Sequence, residues 1–469
     1  MLRIALLNPP SGLERAFYEI PLNLAYLVAC VRARGLDVEM RVIDMELHAD
    51  GDPWTFLESE GPRWSPDVLA APLYTYSLPA CLGAIQKMKQ WHPDCLVVVG
   101  GPHATLAPRE MLAQPGVDLV VVGEGDDSFV EIIEALLQGR QGFFQRIEHL
   151  DGIAFAVEGA VRQKPRRTLI RDLDRLPLAT DGYDLFDLHQ VGRAPGFVPV
   201  MSSRGCPYRC VFCSSADLWE HRINFRSPEN VGAELEAIRS HGFDVVNFRD
   251  DMFTIRRRRT IAIAQILGKL GFAWGCETRA DRVDAELLRI LVDNGLCTIR
   301  FGIESFHQKT LDLLKKEETV ADLIRAIELC GEAGVPEVRN SFMVGLPGET
   351  EEDILETFRI AGSYPFTTNR FWAFSPVLGT EIHARMDSFG VRWTTDPEKR
   401  SSTASIVETD LLSNDQINRL VKTAHDRFGH PLTRVHRDLQ AVSRARRGPP
   451  ASASGGDLLE PAGVASHGA

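Results

Sequence analysis

The chain has 469 residues, 44% of them hydrophobic and 25% charged, which is ordinary globular material with room for two or three domains. A formal net charge of −12 argues against a general nucleic-acid binder, and no stretch approaches the ~20 uninterrupted apolar residues a bilayer span requires. The opening run Met1-Leu2-Arg3-Ile4-Ala5-Leu6-Leu7 passes straight into Asn8-Pro9-Pro10 without the pattern of a secretory signal, so a soluble, cytoplasmic protein with no membrane partner is expected.

The first 140 residues alternate short apolar runs with helical periodicity, the pattern of a parallel sheet covered by helices. Residues 3–7, 38–43, 68–73, 96–99 and 119–122 read as strands; 22–34, 78–91 and 128–137 carry apolar residues at three- and four-residue spacing, as amphipathic helices do. The expected first domain, residues 1–140, is therefore an α/β, doubly wound, flavodoxin- or Rossmann-like sheet of five strands. Ligands of such sheets sit beyond the carboxyl ends of the strands. Those ends carry Tyr74-Thr75-Tyr76-Ser77, Gly100-Gly101-Pro102-His103-Ala104-Thr105 and Gly123-Glu124-Gly125. Glycine admits close backbone approach and the hydroxyls offer hydrogen bonds, although glycine-rich turns also occur wherever strands meet helices.

Residues 141–196 form a linker with a small hairpin near 151–159. From residue 197 strand-like runs recur at 198–202, 245–249, 272–276, 298–302, 338–344 and 369–375, separated by helical patterns at 228–240, 257–269, 285–294, 321–334 and 351–362. Six such units over 197–385 predict a partial (β/α)6 barrel. Barrel chemistry gathers at the carboxyl ends of strands, which here carry Arg249-Asp250-Asp251, Glu277-Thr278-Arg279, Glu304-Ser305 and Gly345-Leu346-Pro347-Gly348-Glu349-Thr350. Taken singly, Asp251 and Glu349 read as helix caps or surface ion pairs. A helical extension is expected at 386–447 and a disordered, small-residue tail at 448–469. The aromatic segment Phe371-Trp372-Ala373-Phe374 closes the barrel or borders its cavity.

The first barrel strand leads into Cys206-Pro207-Tyr208-Arg209-Cys210-Val211-Phe212-Cys213. The six other cysteines are scattered singly in apolar surroundings, the usual setting of buried structural cysteine. Fe–S clusters are normally held by four thiolates, so a tight loop offering three suggests a cluster with one iron left open for another ligand.

This loop, together with Phe301-Gly302-Ile303-Glu304-Ser305 and Gly345-Leu346-Pro347-Gly348-Glu349-Thr350, resembles the radical S-adenosylmethionine (SAM) enzymes. With Val97-Val98-Val99-Gly100-Gly101-Pro102-His103 and Val122-Gly123-Glu124-Gly125 in front of it, the chain is similar to the cobalamin-binding branch of that superfamily, the class B methyltransferase-like enzymes, over residues 1 to about 385. The resemblance implies that Cys206, Cys210 and Cys213 ligate a [4Fe-4S] cluster whose open iron is chelated by SAM. Cleavage of SAM then yields a 5′-deoxyadenosyl radical. By the same resemblance Glu304 and Ser305 contact SAM, Arg279 meets its carboxylate or the substrate, and Tyr208 or Phe212 lies near the adenine. Thr75, Gly100, Gly101, His103, Gly123 and Glu124 would border cobalamin.

The first strand ends in Asn8-Pro9-Pro10 and lacks the Asp-x-His-x-x-Gly that supplies a lower axial histidine in other cobalamin proteins. Asp187-Leu188-His189-Gln190-Val191-Gly192 matches that pattern literally but lies in the linker, out of context. His103 is read as lining the pocket or satisfying a turn, and His48 has no ligand context. Cobalamin is therefore expected to bind without a protein histidine. The implied reaction is methylation of an unactivated carbon of a small molecule in biosynthesis, with an external electron donor such as flavodoxin or ferredoxin. Alternatives are a radical SAM dehydratase, deoxygenase or epimerase on a sugar or aminoglycoside with a vestigial, cobalamin-free first sheet, for which Cys276 would be a hydrogen donor; a cobalamin-dependent cyclase or ring-contracting enzyme; and a non-catalytic sensor. A sensor does not need the polar residues that ring the barrel.

Overall fold

The computed structural model describes residues 1–11, 18–49, 51–193, 197–396 and 404–428. Strands β1 (Leu2–Asn8), β2 (Val38–Asp44), β3 (Val68–Pro72), β4 (Leu96–Gly100) and β5 (Leu119–Val121) pair in parallel in the order β2-β1-β3-β4-β5, the doubly wound arrangement expected. Both faces are buried, so the runs are continuously apolar. Ile4, Leu6, Val68, Ala70, Val98 and Val121 share one core with helices Leu22–Ala33 and Gly125–Leu137, while Ala5, Leu7, Leu69, Ala71, Val97 and Val99 share another with helix Leu78–Trp91. The hairpin read in the linker, β6 (Ile153–Val157) and β7 (Ala160–Gln163), adds to the edge of this sheet: β6 runs antiparallel to β5.

The rest of the linker is packed between the two halves. Its 3-10 segment Ala179–Leu185 lies on helix Leu22–Ala33, with Tyr183 fully buried and Gly182 so close that an added Cβ would stand 2.7 Å from the Ala25 carbonyl oxygen. The Ala179 N–H donates to Glu234 on helix Pro228–Ser240 at 3.1 Å.

In the second half, β8 (Val198–Val200) is followed by the short antiparallel pair β9 (Ser203–Gly205) and β10 (Ile223–Phe225), which periodicity did not reveal. Strands β11 (Val245–Phe248), β12 (Ala273–Thr278), β13 (Leu296–Glu304), β14 (Glu337–Val344) and β15 (Thr367–Ala373) complete a six-stranded parallel sheet ordered β8-β11-β12-β13-β14-β15. One face of each strand joins the helix-side core, through Val246, Phe248, Trp274, Cys276, Ile299, Phe301, Val338, Phe342 and Phe371. The alternate residues, among them Asn247, Glu277, Arg300, Arg339 and Arg370, face the lumen, as the period of two along a strand requires.

Beyond β15, residues expected to be wholly helical contain an antiparallel pair, β16 (Val391–Trp393) with β17 (Val407–Thr409). Helix Asn414–Phe428 then buries Ile417, Leu420, Val421 and Ala424 against β15 and helix Glu351–Gly362, covering that edge of the partial barrel. The basic stretch 434–447 and the tail 448–469 lie outside the described residues.

Candidate active site

The cysteine loop is fastened before it begins. Asp250, directly after β11 and 1% exposed, accepts from the Ser202 N–H (2.7 Å), the Ser202 hydroxyl (2.6 Å) and the Ser203 hydroxyl (2.5 Å). Its neighbour Asp251 accepts from the Ser215 hydroxyl at 2.6 Å just past the loop. Gly205 turns the chain with φ +101°, and a Cβ there would stand 2.2 Å from the Arg222 carbonyl oxygen and 2.9 Å from Trp219. Within the loop the Val211 N–H donates to the Leu314 carbonyl and the Ile382 N–H to that of Val211, both at 3.0 Å, while the buried Val211 side chain joins Leu314, Leu346, Phe374 and Ile382. Phe212 packs half-buried against the same cluster.

Cys206, Cys210 and Cys213 are left half-buried. Burial pushes Cys206 up to about 11, Cys213 up to about 12, and Cys210 upward against the opposing pull of Lys316 and Arg279. Metal loading must therefore displace protons from all three. Among the described residues no three His, Cys, Asp or Glu side chains converge as a single ion would require. A [4Fe-4S] cluster places each thiolate on a different iron, so a spread three-cysteine loop beside two cations suits such a group.

Next to Cys210, strand β13 ends irregularly. Its register with β14 shifts between Gly302 and Glu304, and Glu304 adopts φ +65°. Gly302 leaves room for this, because a Cβ there would meet Glu304 Oε1 at 2.6 Å. Burial raises the Glu304 carboxyl, with Lys316 opposing at 4.0 Å. Lys316 also pairs with Glu318 at 2.9 Å; burial pulls its ammonium down, but the two carboxylates outweigh that and hold it above the ordinary amine value.

Arg279 is already committed. Its Nε donates to Asp281 (2.9 Å), its Nη1 and Nη2 donate to the carbonyls of Lys316 (2.5 Å) and Glu317 (2.9 Å), and its guanidinium lies 3.8 Å over the Tyr208 ring. Ser305 is fully buried and donates to Glu349 at 2.6 Å. Glu349 is no surface residue: it is 1% exposed, and burial pushes its carboxyl up to about 8.

At the carboxyl edge of the first sheet lies a cavity of about 230 Å3 bordered by Gly100, Gly101, Gly123 and Glu124, with Tyr26, Phe129 and Trp219 adding aromatic walls. Thr75 and His103 are not on its wall; they bond each other, Thr75 Oγ1 to His103 Nδ1, at 3.0 Å. Among the described residues no histidine lines the cavity. His189 is exposed at the start of helix Leu188–Arg193, and His48 stacks on Phe56 at 3.9 Å. Glu124 and Asp126 pair with Arg204, two residues before Cys206, at 2.7 and 2.8 Å, all three nearly buried. Burial favours the neutral acids, but at Asp126 the guanidinium outweighs it and depresses the carboxyl.

A second cavity, about 540 Å3, fills the space between the first sheet's loops and the barrel lumen. Asn23, Tyr74 and Met201 border both cavities. Its barrel wall carries Arg249, Arg300, Arg339, Arg370 and Trp372. Cys276 is absent from it: the thiol lies fully buried on the helix side of β12, away from the lumen, which removes it as a hydrogen donor to a lumen substrate. Of the lumen arginines only Arg249 stands in a strand-end motif; Lys316, Glu318 and Arg204 carry no such local signal, and for Arg300, Arg339 and Arg370 the signal is their inward parity along the strands.

Comparison with known proteins agrees with this geometry. The radical SAM superfamily matches residues 200–361 and the B12 binding domain residues 12–133. An uncharacterized methyltransferase of Pyrococcus horikoshii is 28% identical over 438 residues, covering 91% of this chain and 92% of its own. The anaerobic magnesium-protoporphyrin IX monomethyl ester cyclase of Rubrivivax gelatinosus is also 28% identical, over 91% of this chain and 77% of the cyclase. Among solved structures, the radical SAM methyltransferase TsrM from Kitasatospora setae, with cobalamin and a [4Fe-4S] cluster bound, superposes with TM-score 0.73 at 16% identity, covering 95% of this chain and 99% of that one. With both domains matched, the cluster loop at the barrel mouth and a cavity at the sheet edge, the chain belongs to the cobalamin-binding radical SAM enzymes, and its cofactors are a [4Fe-4S] cluster, SAM and cobalamin.

Proposed function

We propose that this enzyme methylates an unactivated carbon of a small molecule in a biosynthetic pathway. The observation that carries this reading is the meeting of two cavities at Asn23, Tyr74 and Met201, one at the cobalamin edge of the sheet and one in the lumen. When bound, the cluster and SAM supply a 5′-deoxyadenosyl radical and cobalamin supplies a methyl group; an external donor such as flavodoxin or ferredoxin supplies electrons. The residues of the chain position and enclose these groups. Cys206, Cys210 and Cys213 hold the cluster, and Asp250 and the Val211 backbone hold the loop. Glu304, turned inward by the bulge in β13 and balanced by Lys316, offers an anion to the SAM ammonium. Arg279 positions Tyr208 beside the cluster, and Ser305 braces the same rim through Glu349. Gly100, Gly101 and Gly123 let the corrin approach the backbone, and the Arg204 pairing with Glu124 and Asp126 ties that site to the cluster loop.

The experiment is anaerobic turnover with methyl-deuterated SAM, comparing metabolites with and without the enzyme by mass spectrometry. A product carrying the labelled methyl supports methylation. A second reading, ring formation without methyl transfer, is favoured by the similarity to a cyclase at the same identity. It predicts 5′-deoxyadenosine and a changed product lacking the label. The B12 binding match and the open cavity at the sheet edge stand against a vestigial first sheet.

A further inference from the structure

The lumen of a (β/α) barrel is ordinarily filled by branched apolar side chains. Here four arginines from four strands or strand ends, Arg249, Arg300, Arg339 and Arg370, face one cavity. The β13–β14 register sets Arg300 opposite Arg339, and the β14–β15 register sets Arg370 opposite Ser341, one inward position further along. Their partners are unequal. Arg249 pairs with Glu19 and lies 3.7 Å from Glu277, Arg300 donates to Glu277 at 2.5 Å, and Arg339 Nε donates to Glu337 at 2.7 Å. Arg339 is 6% exposed, yet its Nη2 has no acceptor among the described residues. Arg370 has neither a hydrogen bond nor an ion pair among the described residues. Burial, with Arg300 and Arg339 adding to it, pulls its guanidinium down to about 10.

A cation with Glu337 and Glu277 near it but no direct partner is costly in a half-closed cavity, and a guanidinium fork matches the two oxygens of a carboxylate or phosphoryl group. Trp372 lies two residues along the same inward face and also borders the cavity, a flat wall for the skeleton that carries the anion. The cluster cysteines and Glu304 do not line this cavity, so the arginines are separate from the SAM side of the site.

We infer that the lumen recognises an oxyanion on the substrate, a carboxylate or a phosphoryl or phosphonyl group, received by Arg370 within this cationic wall, with the adjoining skeleton against Trp372. This rests on the lumen being the substrate cavity. The test uses holoenzyme loaded with cluster and cobalamin, its melting temperature followed at constant ionic strength in acetate, succinate, phosphate or methylphosphonate, with chloride as reference. A rise with carboxylates assigns a carboxylate substrate, a rise with phosphate or methylphosphonate a phosphoryl one, and a rise with both supports the shared oxyanion chemistry. Arg370→Met should weaken the response about 10-fold while melting higher than wild type in anion-free buffer, because a half-buried charge without a direct partner has been removed. If Arg370→Met fails to load, Arg370→Lys decides: loss of the fork should still weaken the response. No response beyond chloride in wild type, or an unchanged response in the variant, overturns the proposal. Failure of the underlying functional reading shows separately, as a product without the label when the wild-type protein turns over with methyl-deuterated SAM.

Discussion

Two residues ahead of the first cluster cysteine carry much of the site's mechanical definition. Gly205 is there because of its backbone: at φ +101° a side chain is strained, and a Cβ would collide with the Arg222 carbonyl oxygen at 2.2 Å. Gly205→Ala is expected to displace the loop and cost about 1–3 kcal/mol of stability. The check is iron per chain after anaerobic reconstitution, which should fall well below that of wild type. Arg204 answers two carboxylates at once, Glu124 and Asp126, with all three side chains under 10% exposed. Removing only the cation leaves two nearly buried acids without their counter-charge, so Arg204→Met should lower the denaturation midpoint by the equivalent of about 3–5 kcal/mol. The triple variant that also carries Glu124→Gln and Asp126→Asn should recover most of that loss; no recovery would mean that the arginine acts by packing alone.

At the scale of elements, the end of β13 is joined to the turn after β14 through Ser305 and Glu349. The Glu349 carboxyl accepts from Ser305 at 2.6 Å, its Oε2 has no partner among the described residues, and burial lifts it from the ordinary 4.5 to about 8. The folded protein thus keeps a proton that the unfolded chain releases. Since the folded state binds more protons between these two values, its stability falls as pH rises from 4.5 to about 8. The slope from this group is ~1.4 kcal/mol per pH unit at most. Glu349→Gln keeps an acceptor for Ser305 and removes the titration, so its melting temperature should decline less than that of wild type across this window, as measured by thermal unfolding at a series of pH values. Equal slopes would show that the acid is ionised in the folded state.

For the whole molecule, function depends on two domains presenting their ligand edges to each other. The buried linker segment Ala179–Leu185, the Arg204 triad and the shared border residues Asn23, Tyr74 and Met201 lock that arrangement. Gly100 borders the sheet-edge cavity with ordinary φ, and an added Cβ would meet Val121 only at 3.6 Å. Gly100→Leu is therefore expected to fold, keep its cluster iron, and lose cobalamin on gel filtration. Wild-type protein should retain the cofactor with the spectrum of a form lacking a histidine ligand, since no histidine among the described residues borders the cavity. Loss of iron together with cobalamin would instead show that the two sites are one cooperative unit.

The two α/β halves and the three-cysteine loop are legible in the chain alone. Continuous apolar runs such as Val97-Val98-Val99 and three cysteines within eight residues are local signals, set by the period of a strand and the reach of one loop. The sequence also placed Gly100, Gly101, Gly123 and Glu124 at the cavity wall, because ligand edges follow strand ends. The remainder came from packing between distant segments. Thr75 and His103 turned to each other; Arg279 spent its donors on the Lys316–Glu317 turn; Glu349 went inside; Cys276 faced the helices. Four arginines separated by up to 121 positions, from 249 to 370, became one cationic wall through strand register. Whether a polar side chain is a ligand, a brace or a core residue depends on which groups the fold brings within hydrogen-bond reach, and that proximity is a property of packing between distant segments.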